Sequence, residues 1–148
     1  MNLKPIDQQV VVVVGASSGI GRDTALRFAQ KGAKVVVSAR SKEGLATLVE
    51  EISAMGGSAI AVPADVADFN QVKEIAEKTI EHFGRLDTWV HLAATSVFAT
   101  FDNVTPEEFK RVIDVNLMGQ AYGAMVAIPY LKREGRGALI HITSMEGR

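Results

Sequence analysis

The sequence predicts an α/β fold, a doubly wound parallel sheet with strand order 3-2-1-4-5. Three observations lead to it. Apolar strand-like runs and helix-period segments alternate strictly along the 148 residues, which is the pattern of parallel strands joined by crossover helices. The first run, Val10–Val14, is pure valine, as a strand covered on both faces should be. A glycine-rich turn then joins that run to the next helix, the arrangement of a βαβ unit.

Each element follows from its own residues. Residues 9–14 make the first strand, and residues 20–31 a helix with Ala25, Phe28 and Ala29 at helical spacing and Gly32 as its stop. Residues 34–39 make the second strand. Ser41 caps a helix whose Leu45, Leu48, Val49 and Ile52 follow the spacing i, i+3, i+4, i+7, and Gly56-Gly57 ends it. Residues 58–62 make the third strand. Asp68 caps the next helix, which places Val72, Ile75, Ile80 and Phe83 on one face, with Gly84 beyond. Residues 88–93 are the fourth strand.

Thr105-Pro106-Glu107-Glu108 combines an N-cap threonine, a proline at the first helical position and a glutamate at the third. The helix it opens runs through Asn116 toward Arg133, with Pro129 expected to kink it or end it early. Residues 135–137 form a turn, and residues 138–143 the fifth strand. The last strand is expected to be an apolar edge, which is a liability unless covered. No repeat, low-complexity tract or internal linker interrupts the chain, so residues 1–148 read as one domain.

Composition narrows the function classes. Apolar residues are 47% and charged residues 22%, ordinary for a soluble globular protein. The net charge of −1 gives no electrostatic reason to expect nucleic acid or an anionic membrane as partner. The sequence has no cysteine, which excludes disulfides, thiolate metal sites and a cysteine nucleophile. Its apolar runs are too short to span a bilayer, and residues 1–7 lack the apolar region of a signal peptide. A cytoplasmic location is expected. No metal-ligand spacing surrounds His82, His91 or His141.

The glycine turn carries the chemistry. It reads Gly15-Ala16-Ser17-Ser18-Gly19-Ile20-Gly21, and glycine there serves a tight turn, close approach to a pyrophosphate, and close helix–strand packing. The amides at the following helix N-terminus carry partial positive charge toward a phosphate, and Ser17 and Ser18 can add hydroxyl donors. A purely structural turn is the competing reading. The spacing G-x-x-x-G-x-G matches neither the dinucleotide fingerprint G-x-G-x-x-G nor a P-loop.

That loop resembles the one in the short-chain dehydrogenase/reductase family, and the resemblance runs along all 148 residues. Asp65-Val66 resembles the family's Asp-hydrophobic pair, whose carboxylate holds the adenine amino group. Val115-Asn116-Leu117 resembles its helix-borne catalytic Asn, and the segment from Gly137 to Ser144 resembles the fifth strand that ends in its catalytic Ser. The resemblance implies a Rossmann-like, C-terminally truncated domain and hydride transfer between a nicotinamide cofactor and an alcohol or carbonyl. It assigns catalysis to Asn116 and Ser144. It assigns cofactor binding to Gly15, Ser17, Ser18, Gly19, Ile20, Gly21, Arg40, Asp65, Val66 and Ala93.

NADP(H) is expected over NAD(H). An acid at the end of the second strand would bind the ribose 2′-hydroxyl and repel a 2′-phosphate; the position holds Ala39, and Arg40 follows. A guanidinium can take a phosphate bidentately. The alternatives for Arg40 are a solvated loop charge or a stack on the adenine ring.

The sequence also departs from the family pattern. Val14 stands where the family has Thr, and His91-Leu92-Ala93-Ala94 where it has Asn-Asn-Ala-Gly. His91 is then either an imidazole at the core edge bonded to backbone or a residue near the cofactor. Ser96, Val97, Phe98 and Phe101 are expected either to line a substrate pocket or to pack the loop. The family's Tyr-x-x-x-Lys does not occur after Ser144, and Tyr122 and Tyr130 precede the fifth strand. The chain is therefore expected to be a fragment of a longer reductase, inactive alone, with a catalytically dead NADP(H)-binding or regulatory module as the alternative. A homo-oligomer is possible, because the long helix resembles the family's dimer-forming helix.

Overall fold

The computed structural model describes residues 3–144 of the chain. Five parallel strands form one sheet: β1 (Val10–Val14), β2 (Lys34–Ser38), β3 (Ser58–Ala61), β4 (Thr88–His91) and β5 (Ala138–His141), in the order β3-β2-β1-β4-β5. Helices α1 (Gly19–Gln30), α2 (Lys42–Ala54) and α3 (Phe69–Phe83) follow the first three strands, and α4 (Pro106–Ile113) and α5 (Gly119–Arg133) precede the last. The predicted fold class and strand order are those observed. Each strand is one or two residues shorter than the sequence predicts.

The valine run shows why the sheet is buried on both sides. Successive side chains of a strand point to opposite faces. Val12 and Val14 pack with Val36, Trp89, Val72, Ile75, Val126 and Leu131, beneath α3 and α5. Val11 and Val13 pack with Val35, Val37, Val90, Leu45, Leu48 and Ile52, beneath α1 and α2. All five valines of β1 are buried, each contributing about 1.5–3 kcal/mol of gross hydrophobic stabilisation.

The helix starts are those the sequence marks. Ser41 Oγ accepts from the Gly44 amide, Asp68 from those of Asn70 and Gln71, and Thr105 with Glu108 forms a complete capping box. Pro129 lies inside α5 and does not end it; the helix continues to Arg133. Pro129 and Met125 are both exposed, so the carbonyl that loses its amide partner lies on the solvent side. Between α4 and α5 the helix widens into one π turn, Asp114–Met118.

At the other end of the sheet, buried Asp87 accepts from the Val10 amide at 2.9 Å and from Arg85 at 2.8 and 2.6 Å. Arg85 also reaches Glu134 at 2.9 Å. This network ties the starts of β1 and β4 to the end of α5. β5 pairs with β4 alone, and Ile140 and Ile142 are exposed, as expected of an apolar edge. Among the described residues no helix is long and apolar enough to cross a membrane.

Candidate functional site

A cleft of about 720 Å³ opens beyond the C-terminal ends of the central strands. Strand order reverses between β1 and β4, and open α/β sheets bind ligands at such a switch point. Gly15, Ser17, Ser18, Ile20 and Gly21 line the cleft from the loop after β1, Arg40 from the end of β2, Asp65 and Val66 from beyond β3, and Ala93 from beyond β4. Nine of the ten residues expected at the nucleotide are thus brought together; Gly19 is exposed beside them.

Two close approaches fix the loop. Gly15 has a φ of +91°, and a Cβ there would lie 2.7 Å from the Ala93 nitrogen. A Cβ on Gly21 would lie 2.0 Å from the Gly15 carbonyl oxygen, so the first turn of α1 presses directly onto the loop. The Gly15 and Ala16 amides donate to the Ser38 carbonyl at 2.7 and 3.0 Å, which ties the turn to β2.

The amides that remain belong to α1. Ser18 is its N-cap, and its carbonyl accepts from the Arg22 amide at 3.2 Å, but its side chain caps nothing. The amides of Gly19, Ile20 and Gly21 therefore have no hydrogen-bond partner among the described residues, unlike the capped starts of α2, α3 and α4. Ile20, 74% exposed, lies on the lip of the cleft.

The charged groups divide clearly. Arg22 points away, to the Gly44 carbonyl, Thr47 and Glu51. Arg40 is exposed and makes no hydrogen bond or ion pair among the described residues. Asp65 is held by Arg111, with Nη2–Oδ1 at 3.0 Å and Nη1–Oδ2 at 2.9 Å, and its Oδ1 also accepts from the Ala67 amide. Burial pushes the Asp65 carboxyl up, but the Arg111 hydrogen bond, the Ala67 amide and the charges of Arg111 and Arg40 outweigh it and hold it below the usual carboxylate range.

The two residues expected to be catalytic stand apart from the cleft lining. Asn116, in the π turn, uses its amide on the backbone of Thr95, accepting from the nitrogen and donating to the oxygen at 2.8 Å each. Thr95 itself lines the cleft. Ser144 is exposed, two residues beyond Ile142, which also lines the cleft.

Other expectations need correction. His91 is fully buried, and neither ring nitrogen has a hydrogen-bond partner. It is neither bonded to backbone nor at the cleft, because it faces α5, where Gly123 packs against its ring. Ser96, Val97, Phe98 and Phe101 lie outside this cleft, with Phe98 and Phe101 97% and 81% exposed, and their expected place at a substrate pocket is not tested by it. Phe101 meets Phe109 edge to face at 6.1 Å. No group of three or more metal-ligating side chains occurs among the described residues.

Sequence reasoning missed Arg111, along with Thr95, Val115 and Ile142, as parts of the cleft wall. The available signal was helical spacing: Arg111 lies four residues before Val115, on the same face as the segment that carries Asn116.

The profile of the short chain dehydrogenase family matches residues 9–148. The chain belongs to the short chain dehydrogenase family. An uncharacterized oxidoreductase, YxnA, of Bacillus subtilis is 46% identical over 148 residues, covering 99% of this chain and 42% of its own length. Among solved structures, a 7 alpha-hydroxysteroid dehydrogenase complexed with NADH and 7-oxo glycochenodeoxycholic acid superposes with a TM-score of 0.91 at 28% identity, covering 97% of this chain and 56% of the other. An alcohol dehydrogenase from the archaeon Thermococcus sibiricus, complexed with 5-hydroxy-NADP, gives 0.84 at 32% identity, covering 89% and 57%. The chain thus spans about half the length of these short chain dehydrogenase relatives. One solved relative holds NADH and the other an NADP analogue, so membership does not choose between the two cofactors.

Proposed function

We propose that this chain is the nucleotide-binding portion of an NADP(H)-dependent oxidoreductase acting on an alcohol or carbonyl. One observation carries the reading: the uncapped first turn of α1 opens onto the switch-point cleft that Arg40 also lines. Three unpartnered amides at a helix N-terminus form a site for an anion. The bare Gly15 and Gly21, filled by neighbouring backbone wherever a Cβ would stand, let a pyrophosphate approach the main chain. The apolar Ile20 on the lip would be covered by a bound nucleotide.

The cofactor preference rests on two positions. Ala39 offers no carboxylate to a ribose 2′-hydroxyl, and Arg40 keeps its guanidinium unpaired at the cleft. A 2′-phosphate would meet a donor fork and no repulsion there. Asp65 and Val66 stand where an adenine would lie, with Ala93 across from them.

Bound, the nicotinamide supplies or accepts the hydride. Asn116 fixes the Thr95 segment that forms the cleft wall, and Ser144, three residues beyond β5, is the group assigned to the substrate oxygen. No tyrosine follows Ser144 in the 148 residues, so the test on this chain is affinity and not turnover. Calorimetric titration should show NADPH binding more tightly than NADH, and Arg40→Ala should weaken NADPH by about tenfold with little effect on NADH. Equal affinities that Arg40→Ala leaves equal contradict the cofactor assignment; no binding of either nucleotide contradicts the whole reading.

A further inference from the structure

We propose that Arg111 determines nucleotide specificity at a distance: by holding both oxygens of Asp65 it keeps that carboxylate from Arg40, leaving Arg40 available to a 2′-phosphate. The inference rests on the nucleotide reading above and adds a residue to it. Arg40, Asp65 and Arg111 all line the one cleft, though they come from β2's end, the segment after β3, and α4. A carboxylate near the ribose rejects a 2′-phosphate. The chain lacks one at Ala39 but keeps one at Asp65, which lines the same cleft as Arg40.

Arg111 resolves that conflict. Its fork takes Oδ1 at 3.0 Å and Oδ2 at 2.9 Å, the bidentate geometry in which an arginine holds a carboxylate most firmly. The Ala67 amide takes Oδ1 as well, so the carboxylate is turned toward α4 and the following loop. Oδ2 keeps a lone pair for an adenine amino group. The cleft then carries two guanidinium charges against one carboxylate, and the unpaired one is Arg40. Without Arg111 the carboxylate is left free to pair with Arg40 across the cleft and to repel the phosphate.

Arg111 acts through Asp65, so the test is a double-mutant cycle read as the ratio of NADPH to NADH affinity. Arg111→Gln should lower that ratio by about five- to tenfold, the size of one partly screened charge contact. In an Asp65→Asn background, with no carboxylate left to divert Arg40, the same Arg111→Gln change should leave the ratio within about twofold. Arg111→Lys keeps the charge but not the fork, and should fall between. Thermal melts of each variant separate loss of fold from loss of preference. An equal loss for both nucleotides on Arg111→Gln, or a full drop in the ratio that persists with Asp65→Asn, overturns the proposal. Binding of neither nucleotide by the unaltered chain overturns the nucleotide reading itself, and this inference with it.

Discussion

The side-chain amide of Asn116 grips Thr95 at both backbone polar groups, nitrogen and oxygen, at 2.8 Å each. The residue sits in the single π turn of the chain's described part, a feature that often marks functional positions in helices. The widened turn brings the amide level with the segment that leaves β4. Asn116 therefore positions a wall of the cleft, whatever else it does to a substrate.

Asn116→Ala should release that segment. Two exposed hydrogen bonds are lost, at a cost of about 1–2 kcal/mol in total. Hydrogen exchange gives the specific readout: the Thr95 amide should exchange faster, while amides of β1 keep their protection. Unchanged Thr95 exchange would contradict the clamp.

Gly21→Ala tests the contact between α1 and the glycine loop. A Cβ there would stand 2.0 Å from the Gly15 carbonyl oxygen, backbone against backbone with no rotamer to give way. The helix must shift, and the expected cost is about 2–3 kcal/mol, read from urea denaturation midpoints. Gly19→Ala, where a Cβ meets nothing but φ is +53°, should cost less, about 1 kcal/mol.

His91 predicts a pH dependence. Burial pushes its imidazole down to about 4, and the charge of His141, whose ring lies 5.8 Å away, adds to the shift. His141 is itself pushed down by burial. An unfolded imidazole takes its proton near pH 6.5. The folded one takes it only near 4, so acid favours the unfolded chain. Stability should be full above about pH 6.5, fall as the pH drops toward 4, and lose at most about 3 kcal/mol from His91. His91→Leu should flatten much of that slope. It should be near neutral at pH 7, because no hydrogen bond to either nitrogen is removed. A slope that survives His91→Leu unchanged assigns the acid sensitivity elsewhere.

Much of this fold is legible in the sequence because its signals are local. The valines of β1 alternate between two cores, and Ser41, Asp68 and Thr105 announce helix starts that form as written. The glycine loop is legible in part for the same reason, since Gly21 answers to Gly15 six residues before it, whereas Gly15 answers to Ala93 on the far side of β4. Pro129 does not end α5, because its cost depends on which side of the helix loses the hydrogen bond, and solvent covers that side. Arg111 and Asp65 lie 46 residues apart, and no local pattern says that α4 will bring them together. His91 reads as a polar residue needing a partner, yet Gly123 on α5 closes over it: a Cβ there would lie 2.6 Å from His91 Nδ1. Packing decides its surroundings, and packing is not written in spacing.

The most direct measurement is an NMR titration of the chain with NADPH, following backbone amides. If α1 holds the phosphates, the amides of Gly19, Ile20 and Gly21 should shift most, together with those near Arg40, while residues around Asp87 at the opposite end of the sheet stay still. Shifts confined elsewhere, or none at saturating NADPH, would contradict the assignment of this cleft to a nucleotide.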